Sequence, residues 1–249
     1  MKTIAVIPAR MGSTRFPGKP IAQLLGRPML EHVYRRVALS RALDATYIAT
    51  CDEEIKRTAE NFGANVIMTA DTHERASDRV AEAIADIDAE LIVMVQGDEP
   101  MTHPDMIDAA VTPFQHDPQL SCVNLVRKID DEADFLDTNT IKVVMNQQGD
   151  AIYMSRQPIP TLAKSGFSQT TAYKQVCIIP FRRTMLLEYT HLPPTPLEQL
   201  ESVDMLRLLE HGYRVKMIKT AFNTQAVDTE ADLTRVAKRM EADPLLTDY

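Results

Sequence analysis

Short apolar runs alternate with amphipathic stretches through the first half of the chain, and this rhythm restricts the fold more than any other feature. Residues 3–8 (TIAVIP), 45–50, 65–69 and 91–95 are apolar runs of strand length. Between them, residues 28–40 carry Met29, Leu30, Val33 and Val37 at helical spacing, with Pro28 suited to a first helical position. Residues 53–62, 77–87 and 104–116 also read as helices, and Ser77 suits an N-cap. Strand alternating with helix in this way predicts an α/β fold whose mostly parallel sheet is covered on both faces.

After residue 116 the rhythm breaks. Residues 120–127, 141–146, 151–155 and 173–181 read as strands without long helices between them. The intervening 157–171 (QPIPTLAKSGFSQTT) is polar and broken by Pro and Gly, which predicts a projecting loop or arm. A helix at 196–211, a strand at 214–219 and a helix at 229–243 close the pattern. Neither a repeat nor a long linker divides the 249 residues, so the expectation is one domain over 1–249 with an inserted arm or lobe at about 155–185 that serves as a homodimer contact.

Charge narrows the partners. The chain carries 27 Lys+Arg against 35 Asp+Glu, a net −8, which argues against a nucleic-acid binder, because neutralising phosphates along a strand needs a broad basic surface. The average hides a local exception: residues 1–36 hold seven basic residues and one acid, Glu31. No stretch approaches the roughly 18 apolar residues of a membrane span. The N-terminal MKTIAVIPAR lacks a signal-peptide cleavage pattern. Cys51, Cys122 and Cys177 show no paired spacing and read as reduced thiols. No membrane partner and a cytoplasmic location are therefore expected.

Residues 7–20, IPARMGSTRFPGKP, follow the first strand directly. Ligands of open α/β sheets bind at the carboxyl ends of strands, so this loop lies where a ligand belongs. The loop holds Arg10, Arg15 and Lys19, which supply cations, and Ser13; its two glycines, Gly12 and Gly18, let the backbone turn and approach an anion closely. The segment is neither G-x-G-x-x-G nor G-x-x-x-x-G-K-[ST], so neither a dinucleotide fold nor a Walker NTPase is supported. Asp98 follows the strand 91–95 and Gly97, and emerges at the same edge. Asp228, at the start of the last helix, reads either as an N-cap or as a second functional carboxylate.

The loop resembles the R-x-G-S-x-R-x-P-x-K signature of sugar nucleotidyltransferases, and more closely that of the cytidylyltransferases that activate 3-deoxy-manno-octulosonate (KDO). VQGDEPM at 95–101, IKVV at 141–144, AIYMSR at 151–156 and VDTEADL at 227–233 match that family's Q-G-D-E-P, V-K-V-V, A-L-Y-F-S-R and V-D-T-P-E-D-L blocks in order. The resemblance implies a three-layer, Rossmann-like nucleotide-binding fold with a small β-containing dimerisation arm. It implies transfer of CMP from CTP to the anomeric hydroxyl of KDO or a close 2-keto-3-deoxy sugar acid, with release of pyrophosphate, for lipopolysaccharide or capsule synthesis.

It further implies Mg²⁺ held by Asp98 and Asp228, with Arg10, Lys19 and Asp98 as catalytic residues and Arg15 assisting. Pro8, Ala9, Arg10, Gly12, Ser13, Arg15, Lys19 and Gln96 would line the nucleotide. HERASDRV at 73–80 aligns with the family's H-x-S-G-T-E-R-L near the cytosine, so His73, Ser77 and Arg79 join them, although the segment also reads as a plain helix start. Ala76 replaces a glycine there, which disfavours any positive φ. ATCD at 49–52 departs from A-T-D-D at Cys51 and retains Asp52.

On the acceptor side the resemblance points to Gln96, Arg156, Gln175, Glu198 and Glu201. Gln175, Cys177, Ile179 and Met205 depart from the family pattern and leave a variant acid open. Two other readings share the basic loop: a nucleotidyltransferase acting on another sugar or alditol phosphate, and a nucleotide-binding module without catalysis.

Overall fold

The structure is a computed structural model that describes residues 1–12, 15–162, 164 and 166–249. Its strands and helices run β1 (Thr3–Ala9), β2 (Gln23–Leu24), β3 (Arg27–Pro28), α1 (Met29–Ala38), β4 (Ala45–Thr50), α2 (Glu53–Asn61), β5 (Asn65–Met68), α3 (Ala76–Ala83), β6 (Leu91–Val95), α4 (Pro104–Val111), α5 (Pro113–His116), β7 (Val123–Lys128), α6 (Glu132–Leu136), β8 (Lys142–Met145), β9 (Ala151–Ser155), β10 (Tyr173–Val176), β11 (Ile178–Arg182), α7 (Arg183–His191), α8 (Pro196–Glu201), α9 (Met205–Glu210), β12 (Lys216–Thr220) and α10 (Glu230–Met240). They divide into two compact units, Met1–Asp108 with Asn223–Tyr249, and Ala109–Phe222. The expected arm at about 155–185 lies inside the second.

In the first unit the strands lie in the order β6-β1-β4-β5, all parallel. Every residue of β1 and of β6 is buried, so both faces of this sheet are covered, as the unbroken apolar runs require. Met29, Leu30, Val33 and Val37 of α1 are fully buried, which bears out the helical stripe. Pro28 is the N-cap of that helix and not its first turn. The register aligns Ala9 with Thr50 and Thr50 with Met68, so the loops after β1, β4 and β5 leave from one edge.

The second unit carries the order β12-β7-β10-β8-β9, in which β12 pairs parallel to β7 and the other pairs are antiparallel. The fold is therefore mixed α/β, with its parallel sheet in the first unit. Several expected elements divide. The helix expected at 104–116 is α4 and α5, because Pro113 cannot continue the first helix. The helix expected at 196–211 is α8 and α9, parted at Ser202, whose φ of 54° is left-handed. The strand expected at 173–181 is β10 and β11. Helix α7 was not anticipated, though buried Met185, Leu186 and Tyr189 give it a readable stripe.

Candidate active site

Phe16 starts the assembly of the site. It packs into an apolar cluster with Leu24, Met29, Val227, Val236 and Met240, which fastens the basic loop to α10 and to the residues just before it. The main-chain N–H of Val227 donates to Asp98 O at 2.9 Å, so the segments bearing Asp98 and Asp228 are joined by backbone. Gly97 allows the turn after β6 to press on the end of β1. A Cβ there would stand 3.2 Å from Pro8 O and 3.4 Å from Leu30 Cδ1, closer than a side chain comfortably sits. Gly18, with φ of 71°, supplies the left-handed turn that leads into Lys19.

Four predicted residues converge as a result. Lys19 Nζ lies 2.9 Å from Asp98 Oδ2 and 3.3 Å from Asp228 Oδ1. Arg15 adds a contact of 3.1 Å to the same Asp228 oxygen. Burial alone would lower the Lys19 pKa, but the charges and hydrogen bonds of Asp98 and Asp228 outweigh it and hold the group above 10.5. Asp228 is not the cap of α10. Thr229 and Asp232 form a capping box there, and Asp232 also accepts from the Asp228 amide, which leaves the Asp228 carboxylate free to face the loop.

Arg10 is exposed just past β1, Gly12 is exposed beside it, and Pro8 and Ala9 are buried in the strand. Gln96 is half-buried where β6 ends. Ser13 lies outside the described residues.

The segment after β5 is organised differently from expectation. Helix α3 begins at Ala76 with Arg75 as its N-cap, so Ser77 falls in the first turn and is buried, its Oγ 3.9 Å from Met94 Sδ. Ala76 takes helical backbone, so the alanine meets no conformational demand for glycine. Arg79 is buried and donates to Thr69 Oγ1 at 2.5 Å and Ala70 O at 3.1 Å. His73 pairs through Nε2 with Glu82, which also accepts from the Ala70 amide. Glu82 was missed by sequence reasoning; its place two turns into an amphipathic helix gave no signal. Desolvation alone would raise its pKa, but the His73 and Ala70 bonds hold it below the ordinary value.

The acceptor-side residues expected after 150 lie in the second unit. Glu201 accepts from Tyr153 Oη at 2.9 Å, Ser155 Oγ at 2.7 Å and the Arg156 amide at 2.8 Å. Desolvation works against ionisation there, and these three bonds override it and lower the pKa. The Arg156 guanidinium donates to Glu201 O and Thr138 O. Lys142, fully buried, donates to Asp137 O, Thr140 O and Arg156 O, and fixes the same corner from below. Glu198 is fully buried, with both oxygens 2.7 Å from Arg207 and Tyr189 Oη at 3.2 Å. Its partners are those of a core ion pair. Gln175 Nε2 donates to Asn124 Oδ1 at 2.6 Å. Ile179 and Met205, two of the departures from the family pattern, are buried apolar side chains, so those changes repack the interior.

Among the described residues no group of three or more His, Cys, Asp or Glu gathers as a metal cage. Asp98 and Asp228 gathered around one cation instead give the pair of carboxylates that suits Mg²⁺, which keeps water and takes its remaining ligands from phosphate. Among the described residues no helix is long and apolar enough to cross a membrane.

Comparison with known proteins identifies the family. The family model described as Cytidylyltransferase matches residues 4–220. A 3-deoxy-manno-octulosonate cytidylyltransferase of Geobacter metallireducens is 42% identical, covering 96% of this chain and 98% of that one. Another, of Solibacter usitatus, is 44% identical over 97% of this chain and 95% of its own. The solved structure of a CMP:2-keto-3-deoxy-manno-octonic acid synthetase complexed with CTP superposes with a TM-score of 0.90 at 35% identity, covering 97% of this chain and 99% of that one. A 4-diphosphocytidyl-2C-methyl-D-erythritol synthase from Anaerococcus prevotii, at 14% identity and a TM-score of 0.64, shares the fold alone. With a family model matched over most of its length and relatives above 40% identity, the chain belongs to the cytidylyltransferases, a family of nucleotidyltransferases, and within them to the 3-deoxy-manno-octulosonate cytidylyltransferases.

Proposed function

We propose that the protein transfers CMP from CTP to the anomeric hydroxyl of 3-deoxy-manno-octulosonate and releases pyrophosphate. The observation that carries this reading is the convergence of Asp98 and Asp228 on Lys19, beside the basic loop at the carboxyl edge of a parallel sheet. The likeness to a synthetase complexed with CTP and the names of the relatives support the nucleotide and the acceptor.

The acceptor's anomeric oxygen forms a bond to the α-phosphorus, the bond between that phosphorus and the bridging oxygen to the β-phosphate breaks, and pyrophosphate leaves with the electron pair. The hydroxyl proton passes to solvent. Arg10, free on the surface, and Lys19, held as an ammonium, neutralise the charge that accumulates on the phosphates. Arg15 steadies Asp228 from the outer side. Asp98 and Asp228 would hold Mg²⁺, which when bound supplies charge stabilisation at the phosphate oxygens. No covalent intermediate with the protein is needed. His73, oriented by Glu82, and Arg79 hold the segment that reads the base.

The protein works as a homodimer in the cytoplasm. The polar segment at 157–171 supports the first statement, and the three free cysteines, which suit a reducing compartment, support the second. The decisive assay is pyrophosphate release from CTP with Mg²⁺ and 3-deoxy-manno-octulosonate. Asp98→Ala is expected to slow it by about a hundredfold or more; an unchanged rate removes Asp98 from the chemistry. Activity with a sugar phosphate but with no sugar acid would overturn the acceptor.

A further inference from the structure

Asp52 stands at the N-cap of α2, where an Asp side chain ordinarily accepts from an amide in the first turn of its own helix. Its carboxylate makes no such bond. Oδ2 accepts instead from the main-chain N–H of Met11 at 2.9 Å, across 41 residues of sequence. Cys51 Sγ stands 3.7 Å from the same oxygen. The backbone around Asp52 is firmly held: its amide donates to Thr50 Oγ1 at 3.1 Å, and its carbonyl accepts from Lys56 N at 3.0 Å. The carboxylate that the helix forgoes thus reaches from a rigid strand end to the loop after β1.

We propose that Asp52 is a positioning residue for nucleotide binding: by fixing the Met11 amide it holds Arg10 and Gly12 in place to meet the phosphates of the nucleotide. Arg10 is exposed, and the next described residue that packs into the core is Phe16. The Met11 bond is an anchor between the strand and that packing point. A loop held beforehand loses less freedom when the anion arrives, and affinity rises accordingly. Cys51 takes no necessary part, since a thiol at 3.7 Å is a weak donor. The identity of the ligand rests on the reading under Proposed function; the placement of Asp52 does not.

Two variants and two measurements test this. Asp52→Ala removes the acceptor, whereas Asp52→Asn keeps a side-chain oxygen within reach of the Met11 amide. The first measurement is hydrogen–deuterium exchange of the protein without nucleotide. Asp52→Ala should speed exchange in peptides covering residues 9–12 and leave residues 53–61 at the wild-type rate; Asp52→Asn should restore protection. Faster exchange confined to 53–61 would mean that Asp52 serves its helix, and would overturn the proposal. The second measurement is steady-state kinetics. Asp52→Ala should raise the KM for CTP by about tenfold, the equivalent of about 1.4 kcal/mol, with kcat within about threefold, and Asp52→Asn should recover most of the loss. An unchanged KM for CTP, or a loss that Asp52→Asn does not recover, also overturns it. If the wild-type protein releases no pyrophosphate from CTP, the enzymatic reading has failed, and the exchange result still decides the role of Asp52.

Discussion

Lys19→Met offers the sharpest test of the site, because one ammonium bridges two carboxylates that would otherwise repel each other. At 2.9 and 3.3 Å, and with an effective dielectric constant near 20, each gross attraction is about 5–6 kcal/mol. Desolvation of three charges offsets most of that. Removing the buried member of a closely packed ion pair costs about 3–5 kcal/mol. Here the Asp98 and Asp228 side chains keep 28% and 27% of their exposure, so water screens what remains and the expected loss is about 1–2 kcal/mol. For a chain of this size that is a fall in Tm of about 3–6 °C. The assay is thermal unfolding in a chelator, followed by titration with Mg²⁺ or Mn²⁺. Lys19→Met should melt lower than wild type in chelator and regain more stability with the divalent cation, because a cation that binds only the folded state stabilises it by mass action. Direct titration with Mn²⁺ should show tighter binding to Lys19→Met without nucleotide. Because the folded pKa of Lys19 is raised, its contribution is fully present below 10.5 and is lost only above that, so the difference between the proteins should stay flat from pH 6 to 9. Equal melting temperatures in chelator, together with equal gains from Mg²⁺, would refute the convergence of the two carboxylates on Lys19.

The Glu198–Arg207 pair is expected to behave as structure: Glu198→Gln should lower stability by about 3–5 kcal/mol, read by chemical denaturation, and an altered KM for the acceptor with no change in stability would refute its burial as a core ion pair. His32 is fully buried between Leu24 O and Tyr249 Oη, and burial pushes its pKa below 6.5, with Arg27 and Arg36 adding to the shift and Glu31 opposing it. The unfolded chain therefore binds a proton that the folded state refuses. Stability should fall as pH drops below 6.5, by up to about 1.4 kcal/mol per pH unit until the folded group also titrates, and His32→Gln should flatten that limb.

The alternation of strands and helices, and the basic loop after the first strand, were legible because both are local. Period and burial go together along β1, α1, β4 and β6, and the rule that ligands gather at strand carboxyl ends is enough to set Arg10, Lys19 and Asp98 at one edge. Where the pattern failed, one residue's backbone overrode a longer apolar signal: Pro113 ended one helix, and left-handed Ser202 parted α8 from α9. The ordered blocks matching a known family carried the function further than periodicity could.

Tertiary structure alone decided what each charged side chain faces. Asp52 and Asp228 are both acids next to a helix start, where an Asp commonly serves as a cap, and Glu198 lies in the first turn of α8. The fold gives that role to Thr229 and Asp232 on α10, turns Asp228 toward Lys19, sends Asp52 across to Met11, and seals Glu198 against Arg207. A carboxylate takes the nearest donor or cation that packing leaves within about 3 Å, and that neighbour can lie 41 or 209 residues away along the chain. Sequence thus determined which chemistries are present and on which edge they emerge, while the apolar cluster around Phe16 and Val227, by fixing which segments meet, determined which acid became part of the site.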